Sequence, residues 1–323
     1  MASPDDPTRR KQRAAALSVA SNATLVACKL AVGLAIGSVS VVSEAVHSAM
    51  DLVAAAIAWI AVRTSSRPAD THHRFGHGKI ENVSGAIEAF LILAAAVWIG
   101  FEAVDRLRHP SPVDAPLAGV LVMGLSVAAN VGVSRHLFRV GRETESMALL
   151  ADAWHLRTDV WTAGGVLVAL AAVTLGRRLL PGVDLSWVDP VAAIAVALLI
   201  AHAAWKLTSE AVGDLLDRSL PGEEEAWIRA QVEAHRPVVR SFHALRTRRS
   251  GPHRFVDFHL VLDPATTVEA AHTLVHALES TLQARFPGVD VMIHVEPCDG
   301  SCSENCRSGC DQAEQPGAVS HRR

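Results

Sequence analysis

Two pairs of ionisable side chains stand out because they interrupt long apolar stretches of the sequence. His47 precedes Asp51 by four positions, and His155 precedes Asp159 by the same interval. A spacing of four residues places both members of a pair on one face of a helix, one turn apart. Two such helices facing each other would bring two imidazoles and two carboxylates together. Four nitrogen and oxygen ligands of this kind suit tetrahedral Zn²⁺.

Charged side chains in apolar stretches of this length have an unfavourable free energy of insertion into a bilayer. On insertion scales a charge at the centre of a bilayer costs about 2.5–3.5 kcal/mol, so it is a functional candidate by default. Each pair could simply hydrogen-bond within its own helix, but two identical pairs favour a shared metal site. Five other polar residues in the apolar stretches support weaker interpretations, either as cavity lining or as packing. They are Asn22, Lys29, Glu44, Glu88 and Asp152.

A second group of metal-ligand types lies between apolar stretches, where residues 68–79 contain three histidines and an aspartate. Asp70, His73 and His77 could bind a metal and leave one position open for water. The alternative is a solvated polar loop, because histidines in a short tract are only suggestive of metal binding.

The elements that must position these residues follow from the distribution of apolar residues. The chain has 323 residues, 50% hydrophobic and 20% charged, whereas a soluble chain is about 25% charged. Six windows are long enough to cross a bilayer. They are residues 15–37, 41–63, 82–104, 116–138, 147–175 and 187–207. The net charge of −3 offers no basic face for nucleic acid.

Lysine and arginine in the short connections predict the orientation of these windows. Eleven of them fall on the side of the N-terminus and four on the other side, so both termini are predicted to be cytoplasmic. The basic residues before the first window resemble the start of a signal peptide. That window is too long and has no small-residue cleavage site, so we expect a retained helix.

The second part of the chain is patterned like a soluble domain. A short helix, two strands separated by Ser250-Gly251-Pro252, a helix and a last strand follow in the order αββαβ, which is typical of a small α+β domain. The sequence therefore predicts an N-terminal cytoplasmic segment, a membrane all-α six-helix domain, a small α+β cytoplasmic domain and a flexible tail. Their predicted bounds are 1–14, 15–207, 208–298 and 299–323.

Three separate motifs together resemble one known family. They are the doubled His-x-x-x-Asp, the loop from Pro68 to Glu81, and Leu245-Arg246-Thr247-Arg248-Arg249-Ser250-Gly251. In this order they are similar to the cation diffusion facilitator family, over residues 15–298. That family comprises divalent-metal/proton antiporters of the membrane with six spans, a metallochaperone-like cytoplasmic domain and homodimeric assembly. The resemblance implies a cell inner (plasma) membrane protein.

The resemblance also assigns roles to particular residues. His47, Asp51, His155 and Asp159 match the transport site, and Asp70, His73 and His77 match the loop site. Lys79 and Asp217 match a charge interlock near the dimer interface. The positions that match a binuclear zinc site between two cytoplasmic domains are His243, His259, His272, His294 and Glu296. Glu296 departs from the family, which usually has Asp there.

The tail carries a feature that the resemblance does not explain. Cysteines recur at a strict interval of four residues, at Cys298, Cys302, Cys306 and Cys310. Thiolates at this density could bind Zn²⁺ or a softer metal. The alternative is a mobile tail with reduced, unligated thiols, because disulfides are rare in the reducing cytoplasm.

The predicted function is efflux of a divalent cation, most simply Zn²⁺, in exchange for protons, with no organic cofactor. Cd²⁺, Co²⁺, Ni²⁺, Fe²⁺ and Mn²⁺ are alternatives within the same fold, and a membrane-anchored metal sensor is an alternative of another class. An intramembrane metalloenzyme is disfavoured because His-Glu-x-x-His is absent. An ATP-driven pump is disfavoured because the phosphate-binding Gly-x-x-x-x-Gly-Lys-[Ser/Thr] motif is also absent. The partners implied are metal ions, protons, the bilayer and a second copy of the chain.

Overall fold

The computed structural model of the chain describes residues 6–36, 39–108, 117–179 and 187–298. The chain divides into two compact units, Met1–Leu215 and Leu216–Arg323. The first unit contains long helices, and the second contains a small sheet with two helices. This division follows the change from apolar to mixed composition that the sequence shows.

The described residues of the first unit form six long helices. They are α1 (Pro7–Ile36), α2 (Val39–Ser65), α3 (Lys79–Arg108), α4 (Leu117–Glu143), α5 (Met147–Leu179) and α6 (Val188–Leu215). Four helical segments among the described residues are long and apolar enough to cross a membrane. These are Pro7–Ala35, Ser48–Ser65, Lys79–Asp105 and Pro190–Leu215. Crossing by α4 and α5 stays a prediction, and α6 continues beyond the predicted window to Leu215.

Small residues allow these helices to approach closely. Ala54, Ala55 and Ala58 of α2 are at most 2% exposed. On α5, a Cβ atom added at Gly165 would lie 2.8 Å from Cγ2 of Val196 on α6, a distance that real carbon atoms do not tolerate. Close backbone approach through small residues is typical of helix packing in membranes, where no hydrophobic effect drives association.

The second unit has the predicted element order. It comprises α7 (Gly222–Glu233), β1 (Val239–Ser250), β2 (His253–Leu262), α8 (Val268–Arg285) and β3 (Asp290–Pro297). The sheet order is β1-β2-β3, with β2 antiparallel to β1 and parallel to β3. Four apolar residues that alternate along β2 are buried in the core of this unit. They are Val256, Phe258, Leu260 and Leu262.

Local sequence explains where these elements begin and bend. The Thr267 side chain accepts a hydrogen bond from the backbone N–H of Ala270 at 3.2 Å and so caps α8. Gly251 turns the chain between β1 and β2 with a φ of 58°, a conformation that favours glycine. A register shift in β1 between His243 and Arg246 contains Ala244, whose φ is 53°. This bulge changes the direction of β1 just after His243, a candidate metal ligand.

Candidate metal centres

The first candidate centre joins α2 to α5. Asp51 of α2 and His155 of α5 meet across the helix interface, with Oδ1 and Nε2 3.2 Å apart. One ligand atom each from Asp51, His155 and Asp159 lie within 4.8 Å of one another. Asp51 is buried, so the two carboxylates and the imidazole form an anionic pocket inside the helical unit. This set can bind a divalent cation or a proton.

The fourth predicted ligand of this centre is His47. It lies on α2, one turn before Asp51, but its side chain lies outside the part of the structure that is described. Its participation therefore stays a prediction that depends on the interval of four residues. The neighbouring Lys29 of α1 is buried and donates a hydrogen bond to Ser48 Oγ at 2.7 Å. This contact ties α1 to α2 beside the centre.

The second candidate centre is the loop between α2 and α3. Asp70 Oδ1 accepts hydrogen bonds from the backbone N–H groups of His72 at 2.8 Å and His73 at 2.7 Å. The bond from the His73 backbone is the main reason that the pKa of Asp70 lies below its ordinary value. Gly76, with a φ of 78°, turns the chain so that His77 returns towards Asp70.

The predicted loop ligands are brought together by this turn. His77 Nε2 lies 3.3 Å from Asp70 Oδ2, and His73 Nδ1 lies 3.5 Å from Asp70 Oδ1. Ligand atoms of all three residues fall within 4.8 Å of one another. Among the described residues, the buried Nδ1 atom of His77 has no hydrogen-bond partner. The loop therefore presents one carboxylate and two imidazoles at one point.

The third candidate centre lies on the sheet of the second unit. The register pairs His243 with His259 and His259 with His294, which places three imidazoles in one row across the strands. Glu296 reaches this row from β3, with Oε1 2.8 Å from His259 Nδ1 and Oε2 3.5 Å from His243 Nε2. His243, His259 and Glu296 have ligand atoms within 4.8 Å of one another. Glu296 therefore lies where it can bind the same ion as His243 and His259.

Comparison with known proteins identifies what these centres belong to. Residues 15–216 match the family description "cation efflux transmembrane domain". Residues 220–298 match the cytoplasmic domain of cation efflux proteins. The chain belongs to the cation diffusion facilitator family. It is therefore a multi-pass membrane transporter for cation efflux, as the resemblance in its motifs implies.

Individual relatives cover most of the chain. An uncharacterized transporter of Synechocystis sp., sll1263, is 34% identical over 88% of this chain and 90% of the relative. The cation-efflux pump FieF of Cronobacter sakazakii is 35% identical over 81% of this chain and 84% of the relative. A solved metal-bound C-terminal domain of the CzcD transporter from Thermotoga maritima is 32% identical, covering 23% of this chain and 87% of that one, with a TM-score of 0.22.

Two further ligands are predicted for the third centre of this cation diffusion facilitator. His294 lies beside the centre, and His272 lies apart from it. His294 is in the histidine row, with Nε2 3.6 Å from Glu296 Oε1. His272 lies on α8 and packs against His276, with ring centroids 4.3 Å apart. His272 is not in the group around Glu296 among the described residues. Its predicted role is to bind metal between two cytoplasmic domains, which concerns a dimer.

The predicted tail ligands and the predicted interlock have different surroundings. Cys298 is buried against Val261, and its N–H donates to the Leu262 carbonyl at 2.9 Å. The other three tail cysteines, Cys302, Cys306 and Cys310, lie outside the described residues. Lys79 donates to the Leu215 carbonyl at 3.3 Å, and Asp217 Oδ1 lies 3.7 Å from Arg248 Nη1. The proposed Lys79–Asp217 interlock stays a prediction.

One buried polar cluster of this transporter was missed by the sequence reasoning. Glu81 is fully buried and accepts hydrogen bonds from Lys11 Nζ at 2.7 Å and from Ser65 Oγ at 2.7 Å. It also accepts one from the Ser146 hydroxyl. The cluster joins α1, α2, α3 and the residue that precedes α5. Its only sequence signal was the position of Glu81 at the end of the family loop motif, because no spacing connects it with Lys11.

Proposed function

We propose that this transporter exports Zn²⁺ from the cytoplasm in exchange for protons, through a site formed by His47, Asp51, His155 and Asp159. The observation that supports the proposal most is the convergence of Asp51, His155 and Asp159 from two helices to within 4.8 Å. Buried charges of this cost are retained where they bind an ion. His47 would complete a set of two nitrogen and two oxygen donors.

Exchange follows from the chemistry of these ligands. An imidazole binds metal only in its neutral form, and a carboxylate binds it only when ionised, so metal binding releases protons. A histidine titrates near pH 6.5 when unperturbed, close to the pH on both sides of a cell membrane. Zn²⁺ and protons would then compete for the same atoms, and a change in the packing of the helices would move the occupied site between the two sides.

Zinc is proposed as the substrate because of the donor set. Imidazole and carboxylate in four-coordinate geometry suit Zn²⁺, whereas a set of oxygen donors alone would favour Mg²⁺, Ca²⁺ or Mn²⁺. Cd²⁺, Co²⁺, Ni²⁺ and Fe²⁺ accept similar ligands and are the competing substrates. Competition by each metal against radioactive zinc uptake in vesicles measures the order of preference directly.

The group on the sheet supports a proposed regulatory role for zinc. His243 and His259 supply imidazoles and Glu296 a carboxylate, on a partly exposed face of the sheet. With His272 from a second copy, these residues would bind zinc between two cytoplasmic domains and favour a homodimer. We propose that the chain acts as this homodimer in the inner membrane, with both termini cytoplasmic.

The decisive experiment measures zinc and proton movement together in proteoliposomes. Asp51→Asn and Asp159→Asn remove one charge each with little change of shape, and Asp105→Asn on α3 is the matched control. The proposal expects zinc uptake and the linked pH change to fall to the level of protein-free vesicles for the first two variants only. Unaltered fluxes in Asp51→Asn or Asp159→Asn would contradict the site.

The same vesicles separate antiport from the alternative of a metal sensor. A sensor would bind zinc without moving it, so neither zinc nor protons would cross the membrane in the parent protein. Zinc movement without any linked pH change would contradict proton exchange and leave zinc transport standing.

A further inference from the structure

A groove of about 540 Å³ between α4 and α5 has no role in the proposed transport. Its volume lies within the range of small-ligand sites, about 300–1,000 Å³. One residue stripe from each helix lines it, and Glu143 at the end of α4 completes it. The stripe on α4 is Arg135, Phe138, Arg139 and Arg142, and the stripe on α5 is Trp154, Arg157 and Trp161.

The spacing within each stripe shows that the groove is built by regular helix faces. The α4 positions follow the intervals 3, 4 and 7 from Arg135, and the α5 positions follow the intervals 3 and 7 from Trp154. Residues at these intervals share one face of a helix. His155 and Asp159 lie about 130° and about 170° around α5 from the centre of its stripe, since each residue advances the helix by about 100°. The groove is therefore separate from the transport site.

The charge of the groove is strongly positive. Four arginines and one glutamate line it, and that glutamate, Glu143, also pairs with Arg10. The guanidinium groups of Arg142 and Arg157 both lie over the Phe138 ring, 5.5 Å and 5.6 Å from its centroid. The two guanidinium groups at this ring repel each other, and an anion between them offsets that repulsion.

Arg157 gives a second indication that the groove binds an anion. Its Nε atom is buried, and among the described residues it has no hydrogen-bond partner. A buried donor without a partner is unfavourable, and more so when the group is charged. A phosphate oxygen is the acceptor that best suits a guanidinium, which can donate two parallel hydrogen bonds.

The aromatic residues indicate that the anion has an apolar part. Phe138 and Trp154 pack edge to face at 5.2 Å between centroids, and Trp154 and Trp161 at 5.8 Å. Tryptophan is enriched where lipid headgroups meet acyl chains. Basic pockets between membrane helices on the cytoplasmic side suit the headgroups of anionic lipids.

We propose that the α4–α5 groove binds the headgroup of an anionic phospholipid, such as a phosphatidylglycerol or a lipid with two phosphodiesters. Arg139, Arg142 and Arg157 bind the phosphate oxygens, and Trp154 and Trp161 contact the glycerol and the upper acyl chains. The end of α4 lies on the same side as the end of α6, which precedes the cytoplasmic domain, if every helix crosses. The assignment of the lipid to the cytoplasmic leaflet therefore rests on the proposed topology. The proposal that the groove binds an anionic lipid does not rest on it.

Lipid binding is tested on the purified full-length protein in detergent, without metal. Native mass spectrometry counts the phosphatidylglycerol or phosphatidylcholine molecules retained as each lipid is titrated. The variants are Arg157→Gln, Arg139→Gln and the pair together, with Arg157→Lys as the conservative change. Arg63→Gln is the matched control, because Arg63 also lies over an aromatic ring, that of Trp59 at 5.5 Å, outside the groove.

The expected result is a preference for phosphatidylglycerol that weakens about fivefold with each groove arginine removed, the typical contribution of one basic residue at an anionic surface. Arg157→Lys should retain most of it, and Arg63→Gln should leave it unchanged. Equal retention of both lipids, equal loss in Arg63→Gln, or no loss in the double variant would overturn the proposal. Displacement of the lipid by millimolar inorganic phosphate or glycerol phosphate would also overturn it, since the site would then serve a soluble anion.

Discussion

At the scale of single residues, the Asp51–His155 contact is the most informative. Its oxygen and nitrogen atoms lie 3.2 Å apart and come from different helices, so one proton between them joins α2 to α5. A metal ion at the same point would use those same two atoms and would displace the proton. The proposed competition between zinc and protons would take place at this pair.

The loop between α2 and α3 leads to a prediction about stoichiometry. His73→Ala or His77→Ala should lower the number of zinc ions bound per full-length chain by one, because each removes an imidazole from the group around Asp70. Equilibrium dialysis against zinc, followed by elemental analysis, measures this number. His72→Ala is the matched control, since His72 contacts Asp70 through its backbone N–H and lies outside the group of three ligands found among the described residues. A stoichiometry that is equal in all three variants would contradict a loop site.

At the scale of elements, the buried Glu81 cluster connects four parts of the helical unit. Its carboxylate receives Lys11 from α1, Ser65 from α2 and Ser146 from the connection before α5. A buried ion pair contributes little net stability, but removal of one partner leaves the other charge buried and unpaired. The cluster therefore constrains how these ends of the helices can be arranged.

The Glu81 cluster predicts a strong asymmetry between single and double variants. Glu81→Gln should destabilise the protein by about 3–5 kcal/mol, because Lys11 stays buried without its counter-charge. Lys11→Met together with Glu81→Gln should recover a large part of that loss. Thermal unfolding in detergent, followed by size-exclusion chromatography, compares the midpoints. A double variant whose loss of stability equals the sum of the losses in Lys11→Met and Glu81→Gln would contradict this explanation.

Within the second unit, an ion pair between α7 and β2 predicts a dependence on pH. Arg254 donates two hydrogen bonds to Glu224, at 2.8 Å and 2.9 Å, and these hold the pKa of Glu224 below its ordinary value of 4.5. Because the pKa is lower in the folded state, the stabilisation is complete above about pH 4.5. It is lost as the pH falls through the lowered value.

Glu224→Gln should therefore lower the unfolding midpoint at pH 7 and have no effect at a pH where the glutamate of the parent protein is protonated. At pH 7 we expect the free energy of unfolding of Glu224→Gln to lie below that of the parent protein by up to about 1 kcal/mol, because the ion pair is partly exposed. Thermal unfolding of the full-length chain at both pH values measures it, with Glu233→Gln, an exposed residue of the same helix, as the control. A deficit of equal size at both pH values would contradict the ion-pair explanation.

At the scale of the whole molecule, the three candidate centres are distributed over both units. The α2–α5 centre and the loop centre belong to the first unit, and the histidine row with Glu296 belongs to the second. This distribution separates the proposed transport of zinc from the proposed response to zinc. Variants in the second unit should then change the control of transport without abolishing it.

Glu296→Gln tests this separation. It should raise the zinc concentration needed for half-maximal uptake into vesicles and leave the maximal rate close to that of the parent protein, because the transport ligands are intact. Glu269→Gln is the control, since Glu269 is exposed on α8 and lies outside the group around Glu296. Complete loss of zinc uptake in Glu296→Gln would contradict a regulatory role and place this residue in the transport path.

Much of the organisation could be read from local patterns in the sequence. The apolar runs that became α1 to α6 and the alternation that became β2 are repeated signals within short windows, and so is the interval of four between His47 and Asp51. Such signals depend only on helix or strand geometry, which is the same in every protein. The family motifs add the order of the parts, and matches over residues 15–216 and 220–298 agree with them.

Only the tertiary structure decided which distant residues meet. Lys11 and Glu81 are 70 positions apart, and the stripes of arginine and tryptophan on α4 and α5 form a groove only when the two helices pack. Asp51 and His155 were expected to face each other, but the distance between them depended on how α2 packs against α5. Contacts of this kind depend on the packing of whole helices, to which many residues contribute a little each, so no short segment of the sequence specifies them.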